Sequence, residues 1–260
     1  MPKERFHLLA AEETLRLRAA ARKDGLGADE RLAFLLGAIL PDAFFYDLPA
    51  FRLAPVGRAA HAGDGARMLA AAREAALGFP SPADRALALG VAHHFLTDAF
   101  WHPIIDEASG NGLCGGRGFV PRACHFFIES ELEGRWTAAL GPADGYAGLF
   151  RELRGPALRP LLGRYREMLL SAGLPGVPGV SRIGRALSIQ TRILSALSHR
   201  GAGRLLRPAL LRHPRTRTLG ALMAPPGGSH IPAFSDTGAP GDPRLLARAV
   251  LAVTAALDGP

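Results

Sequence analysis

Three side chains able to bind a metal or move a proton, His94, Asp98 and His102, recur four residues apart within GVAHHFLTDAFWHP. On a helix that spacing sets each on the next turn of one face, with Cβ atoms about 5–6 Å apart. Val91, Phe95, Leu96, Ala99 and Phe100 give the stripe an apolar setting, where a carboxylate and two imidazoles are costly without a compensating partner. A cation supplies one. His125 and Glu129 repeat the spacing in a second segment, and zinc accepts both atom types at about 2.0–2.2 Å. Neither pair alone is specific, because a histidine on an amphipathic helix is more often packed or exposed than metal-bound. Together with His7, Asp42 and His61 the candidate ligands number eight. That is more than one tetrahedral ion takes, and points to a cluster of two or three metals.

These side chains need helices to hold them. Residues 7–22 carry Leu8, Leu9, Leu15 and Leu17 among strong helix formers, with Gly25 and Gly27 as stops. Asp29 is placed to cap a second helix running toward Pro41, so Asp42 is delivered at a helix end. Residues 48–63, with Pro49, Pro55, Gly57 and Gly63, read as a loop, and His61 falls just before a helix that Asp64 could cap. That helix should end near Leu77. Ser81, Pro82 and Asp84 are a helix-start signature for a segment from 82 to about 105. A glycine-rich loop at 110–118 leads to a helix over about 122–140, and further helices are expected at 145–154, 157–171, 181–199 and 243–257. Residues 224–243 read as a long turn-rich loop.

Composition agrees with helices. Val, Ile and Thr make up 23 of the 260 residues, while Ala, Leu and Arg dominate, so residues suited to a pleated sheet are scarce and an extensive β architecture is excluded. The chain is read as one all-α domain over 1–260, a metal-site half at 1–140 followed by an arginine-rich helical half at 141–260. Residues 151–220 hold fourteen arginines against Glu152 and Glu167 within a chain of net charge +8. Such a surface suits phosphates, anionic headgroups or nucleic acid, although an arginine-rich composition equally well solvates helix faces. Two cysteines, Cys114 and Cys124, permit one bridge without demanding it. The start, MPKERFHLL, has no apolar run of signal-peptide length, and no stretch is long and apolar enough to span a bilayer, so a cytoplasmic chain is expected.

His7, the segment GAILPDAFFYD with Asp42, the loop His61, HHFLTDAFWHP and HFFIE together resemble the zinc-dependent phospholipase C family over roughly residues 5–135. Within it the chain is most similar to the branch containing glycosylphosphatidylinositol phospholipase D and bacterial members, which share the three-residue interval between the Asp98 and His102 positions. The resemblance implies an all-α, single-domain multi-helix bundle of the phospholipase C and zinc nuclease type. It implies that Asp42, His61, His94 and Asp98 hold one zinc, that Asp98 bridges to a second bound with help from His7, and that His102, His125 and Glu129 hold another. Two zincs are expected and a third is allowed. The secreted enzymes also use a mature N-terminal tryptophan, which this sequence lacks at its start. Asp42 is further implied as the group that orients or deprotonates the attacking water.

His93, about 100° off the stripe, is read as a packing or supporting residue, Asp47 as a turn residue, and Asp106 and Glu107 as solvated helix-end acids. His199, His213 and His230 have no ligand-spaced partners. Phe44, Phe45, Phe100, Trp101, Phe126 and Phe127 are read as core first, with some able to wall the site. The reading is a metal-dependent phosphoric-ester hydrolase acting on phospholipid or a related phosphodiester, with the basic helices at 181–217 resting on an anionic membrane surface. Two alternatives stand beside it: a nuclease-like enzyme on single-stranded nucleic acid, for which stacking aromatics are not conspicuous in the basic half, and a non-catalytic zinc-binding protein with a basic binding surface.

Overall fold

Ser81 accepts a hydrogen bond from Asp84 N at 3.0 Å and so satisfies one of the free amides at the start of helix α5, Pro82–Gly110. This 29-residue helix is the axis of the protein, and the sequence-based end near 105 falls one turn short of the real one. In a computed structural model, residues 4–22, 26–63, 65–110, 121–140, 147–153, 158–197, 208–212 and 243–258 are described, and no strand occurs among them. Before α5 come α1 (Glu4–Arg22), α2 (Ala28–Ile39), a 3-10 helix (Leu40–Tyr46), α3 (Ala54–His61) and α4 (Ala66–Gly78). After it come α6 (Pro121–Leu140), α7 (Ala147–Glu152), α8 (Arg159–Ser171), α9 (Val180–Leu197) and α10 (Pro243–Asp258).

Two expectations need correction. Residues 54–61 form a helix rather than a loop, because Pro55 occupies the first turn, where its missing N–H costs nothing; His61 therefore closes a helix instead of preceding one. Asp29 does not cap α2. Gly27 does, and Glu30 reaches back to accept a hydrogen bond from Gly27 N at 3.0 Å. Asp64, residues 111–118, residues 224–242 and His199, His213 and His230 lie outside the described residues.

Glycine sets how closely α2 and α5 approach. A Cβ on Gly90 would stand 2.1 Å from the Phe34 carbonyl oxygen, and one on Gly37 would stand 2.3 Å from that of Leu87. Only hydrogen fits at both positions, so the backbones touch and the end of α2 is drawn against the middle of α5. The main apolar core unites α2, α4 and α5, through Phe34, Leu36, Met68, Leu87, Val91 and Phe95, with Leu162, Tyr165, Met168 and Ile183 from α8 and α9. A second core joins Phe6 of α1, Trp101 of α5, and Phe127, Leu132 and Trp136 of α6 to Val250 of α10.

No helix among the described residues is long and apolar enough to cross a membrane. Cys124 is buried and disulfide-bonded. The chain's other cysteine, Cys114, lies outside the described residues.

Candidate metal centre

His94, Asp98 and His102 span about 12 Å along α5 at 1.5 Å per residue, so the stripe offers several positions rather than one. α1 brings His7 against it. The 3-10 helix brings Asp42, since Pro41 cannot continue α2 and the chain tightens at that point. α3 brings His61, and α6 brings His125 and Glu129. His7, Asp42 and His94 are fully buried, Asp98 and Glu129 nearly so, while His61, His102 and His125 are partly open to solvent. Three sets of donor atoms each lie within 4.8 Å of one another: His7, His94 and Asp98; Asp42, His61 and His94; and His102, His125 and Glu129.

Hydrogen bonds fix the protonation of the central pair. His94 Nδ1 is 2.9 Å from the Ala38 carbonyl oxygen near the end of α2, and His61 Nδ1 is 2.8 Å from Gly57 O. A carbonyl only accepts, so each Nδ1 carries the proton and each Nε2 turns a lone pair inward. These two Nε2 atoms stand 3.1 Å apart. Between neutral rings that contact is lone pair against lone pair, and it needs positive charge between them.

Nearby oxygens complete the set. His61 Nε2 is 3.5 Å from Asp42 Oδ1 and 3.6 Å from Asp98 Oδ2, and His94 Nε2 is 3.3 Å from Asp98 Oδ2. Donors bonded at about 2.0–2.2 Å to a tetrahedral zinc stand roughly 3.3–3.6 Å from each other. The other oxygen of Asp98 faces a different pair, at 3.2 Å from His7 Nε2 and 3.5 Å from His102 Nε2. One carboxylate thus presents an oxygen to each of two neighbouring positions. Both Asp42 oxygens, Asp98 Oδ2, His102 Nε2 and Glu129 Oε2 are buried without a hydrogen bond. Buried polar atoms are almost always paired, and so many converging exceptions fit a metal cluster.

The electrostatics of the protein groups alone say the same. Burial works against a charged His94, but Asp98 and then Asp42 outweigh it and hold its pKa up at about 9. Burial opposes the charged Asp98 as well, yet His94 and His7 pull its pKa well below the ordinary carboxylate range. Burial, with His94 as an added like charge, lowers His7 and His61 to about 4. Burial raises Asp42 despite His94, with Glu4 and Asp98 adding to the rise. The cavity draws in positive charge and tolerates only one proton's worth on its own rings.

A sequence-family comparison matches residues 6–135, half of the chain, to the model for zinc-dependent phospholipase C. The chain belongs to the zinc-dependent phospholipase C family. No curated protein and no solved structure matches it. The zinc dependence of the family agrees with the donor set, and every candidate ligand lies within the matched segment.

Sequence spacing missed part of the candidate site's support. Asp106, read as a solvated acid, accepts a hydrogen bond from His125 Nδ1 at 2.8 Å, while His125 Nε2 lies 2.9 Å from Glu129 Oε1. Positions 94, 98, 102 and 106 continue one stripe, so the signal was present and was stopped one turn early. Against the cost of charging a largely buried ring, Glu129 and then Asp106 raise the His125 pKa. A carboxylate behind a ligating histidine orients the ring. Asp106→Asn should therefore weaken metal binding at the His102–His125–Glu129 position by roughly 10-fold or more, read in a chelator titration as metal released earlier than from the parent protein. Gln190 of α9 is a second such support, donating to Ile39 O at 3.1 Å and Glu4 Oε1 at 3.3 Å just where the chain turns to present Asp42. No spacing in the sequence connects residue 190 with residue 42.

His93 faces away from the donor sets. Its Nε2 lies 3.2 Å from Thr14 Oγ1, and its ring packs edge-on against Phe34. Burial, then His7 and His94, lower its pKa to about 3. The folded state thus excludes a proton that the unfolded chain takes up near pH 6.5, so stability is retained above that pH and lost as pH falls toward 3. His93→Gln should flatten the pH dependence of unfolding of metal-free protein below pH 6.5 by up to about 1.4 kcal/mol per pH unit. Parallel urea titrations at about pH 4.5 and about pH 6, either side of the middle of that window, measure the difference. Asp47, read as a turn residue, does open the turn, its carbonyl accepting from Phe51 N at 2.7 Å, and its side chain also pairs with Arg182 of α9 at 2.9 Å.

Proposed function

We propose that this chain is a zinc-dependent phosphodiesterase that hydrolyses phospholipid in the manner of a phospholipase C. The facing Nε2 atoms of His61 and His94, 3.1 Å apart and lined by Asp42 and Asp98, carry that reading. Asp42, His61, His94 and Asp98 would hold one zinc, Asp98 with His7 would reach a second position, and His102, His125 and Glu129 would hold another, giving two or three per chain. When bound, such ions bring a coordinated water toward ionisation at neutral pH and polarise a phosphoryl oxygen.

The protein's own groups do the rest. Asp42 is fully buried and has no hydrogen bond on either oxygen, so one oxygen is available to take a proton from the nucleophile while the other stays directed at His61. Burial favours its protonated form, as suits a general base. Partial exposure of His61, His102 and His125 marks the side from which a phosphate would enter. The arginines of the second half act partly inward, since Arg164 pairs with Asp84 and Arg182 with Asp47; those left outward suit an anionic headgroup or membrane surface.

Purified protein should contain at least two zincs per chain and release phosphocholine from phosphatidylcholine, with activity lost to a chelator and restored by zinc. Turnover confined to single-stranded DNA would make the chain a nuclease. Tight zinc without turnover of lipid, artificial phosphodiester or DNA would make it a binding protein.

A further inference from the structure

Phe51 is 54% exposed and sits at a φ of +49°, a left-handed conformation that a bulky side chain seldom adopts. The chain is fixed on both sides of it. Asp47, one turn before, is buried and paired with Arg182 at 2.9 Å, and its carbonyl accepts from Phe51 N at 2.7 Å. Leu53, two residues after, is buried in the core and its carbonyl accepts from Val56 N and Gly57 N at the start of α3. The segment is therefore a rigid hairpin-like tip that holds an aromatic ring in solvent, in a conformation where glycine would be easier.

Its position and chemistry indicate what it meets. The tip joins the 3-10 helix that carries Asp42 to the helix that carries His61, and α3 rises only about 10 Å between its first residue and His61. Pro49, Ala50 and Pro55 are exposed beside Phe51, as are Arg52 and Arg58, and residues 48–63 contain no acidic side chain. An apolar tip flanked by cations and free of carboxylates is complementary to an anionic lipid interface, where the ring enters the acyl boundary and the guanidinium groups meet phosphates. We infer that the 48–53 loop is a membrane-contact element that inserts Phe51 into a phospholipid surface and sets the metal centre within reach of headgroups. This rests on the reading of the chain as a lipid phosphodiesterase, and it is separate from the contact expected of the basic helices at 181–217.

Two native tryptophans, Trp101 and Trp136, are each 1% exposed, so an indole introduced at position 51 reports on its own surroundings. In zinc-loaded full-length Phe51→Trp, emission should shift to the blue on addition of vesicles of mixed phosphatidylcholine and phosphatidylglycerol, and a lipid-embedded quencher should reach the new side chain. Phe51→Ala and Arg52→Ala should lower vesicle binding and vesicle turnover, roughly tenfold for Phe51→Ala given the area one ring buries, with turnover of a soluble artificial phosphodiester unchanged. Unshifted emission from the introduced indole, together with Phe51→Ala as active on vesicles as the parent, would overturn the inference while leaving the phosphodiesterase reading intact. Equal loss of Phe51→Ala activity on soluble and vesicle substrates would also overturn it, by placing the ring in the fold or the site. Absence of turnover on every substrate would count against the enzyme reading alone, since the emission of the Phe51→Trp variant still decides the lipid contact.

Discussion

Asp98→Asn should cost the protein zinc and activity together. Its two oxygens face different donor pairs, His61 with His94 and His7 with His102, and an amide can offer only one neutral oxygen in place of two charged ones. Two neighbouring positions then lose their shared carboxylate, while His125 and Glu129 keep theirs. The expected result is a fall to one zinc per chain or fewer, and a drop in phosphodiester turnover of roughly 10³-fold, the scale set by removing a group that positions transition-state charge. The metal-free variant should also show a lowered pKa at His94, because Asp98 is the chief partner raising it. Elemental analysis and imidazole titration by NMR measure these effects. Full zinc content with unaltered turnover would show that Asp98 bridges nothing.

Gly90→Ala should unfold or loosen the protein although it improves helix propensity. In a solvated helix the change gains about 1 kcal/mol. Here the added methyl would stand 2.1 Å from Phe34 O and 3.1 Å from Gly37 Cα, against backbone atoms that have no rotamer to escape into. Overpacking of a tight core costs typically about 1–3 kcal/mol and more where backbone must move, so after the propensity gain a net loss of about 2 kcal/mol is expected. The same displacement would draw Ala38 O away from His94 Nδ1, so zinc binding should weaken as well. Gly163→Ala supplies the control: it lies in α8 with nothing within 4 Å of the added carbon, and should stabilise by up to about 1 kcal/mol. Thermal unfolding of both variants with and without chelator tests the pair.

The contrast between those two glycines also shows where the sequence was legible. Helix identities could be read because periodicity and caps are local: Ser81 begins α5, and His94, Asp98 and His102 share a face for the same reason. α3 was missed because Pro55 marks a helix start as readily as a loop, and the choice depends on Leu53 finding the core. The Gly37–Gly90 contact, the Ala38 carbonyl that fixes the His94 imidazole, and Gln190 bonded to Ile39 O are properties of chain crossings. The facing imidazoles are 33 residues apart along the chain, and Gln190 lies 151 residues from Ile39, so no window of sequence contains such pairs. Asp106 differs, since it continues a visible stripe and was discounted for its exposure.

The metal centre itself is tested most directly by diffraction at the zinc absorption edge from crystals of the purified chain. An anomalous peak between His61 Nε2 and His94 Nε2, at bonding distance from Asp42 and Asp98 and with a second beyond Asp98, is the expected result. Crystals with zinc present in solution, and no anomalous density between those two nitrogens, would contradict it.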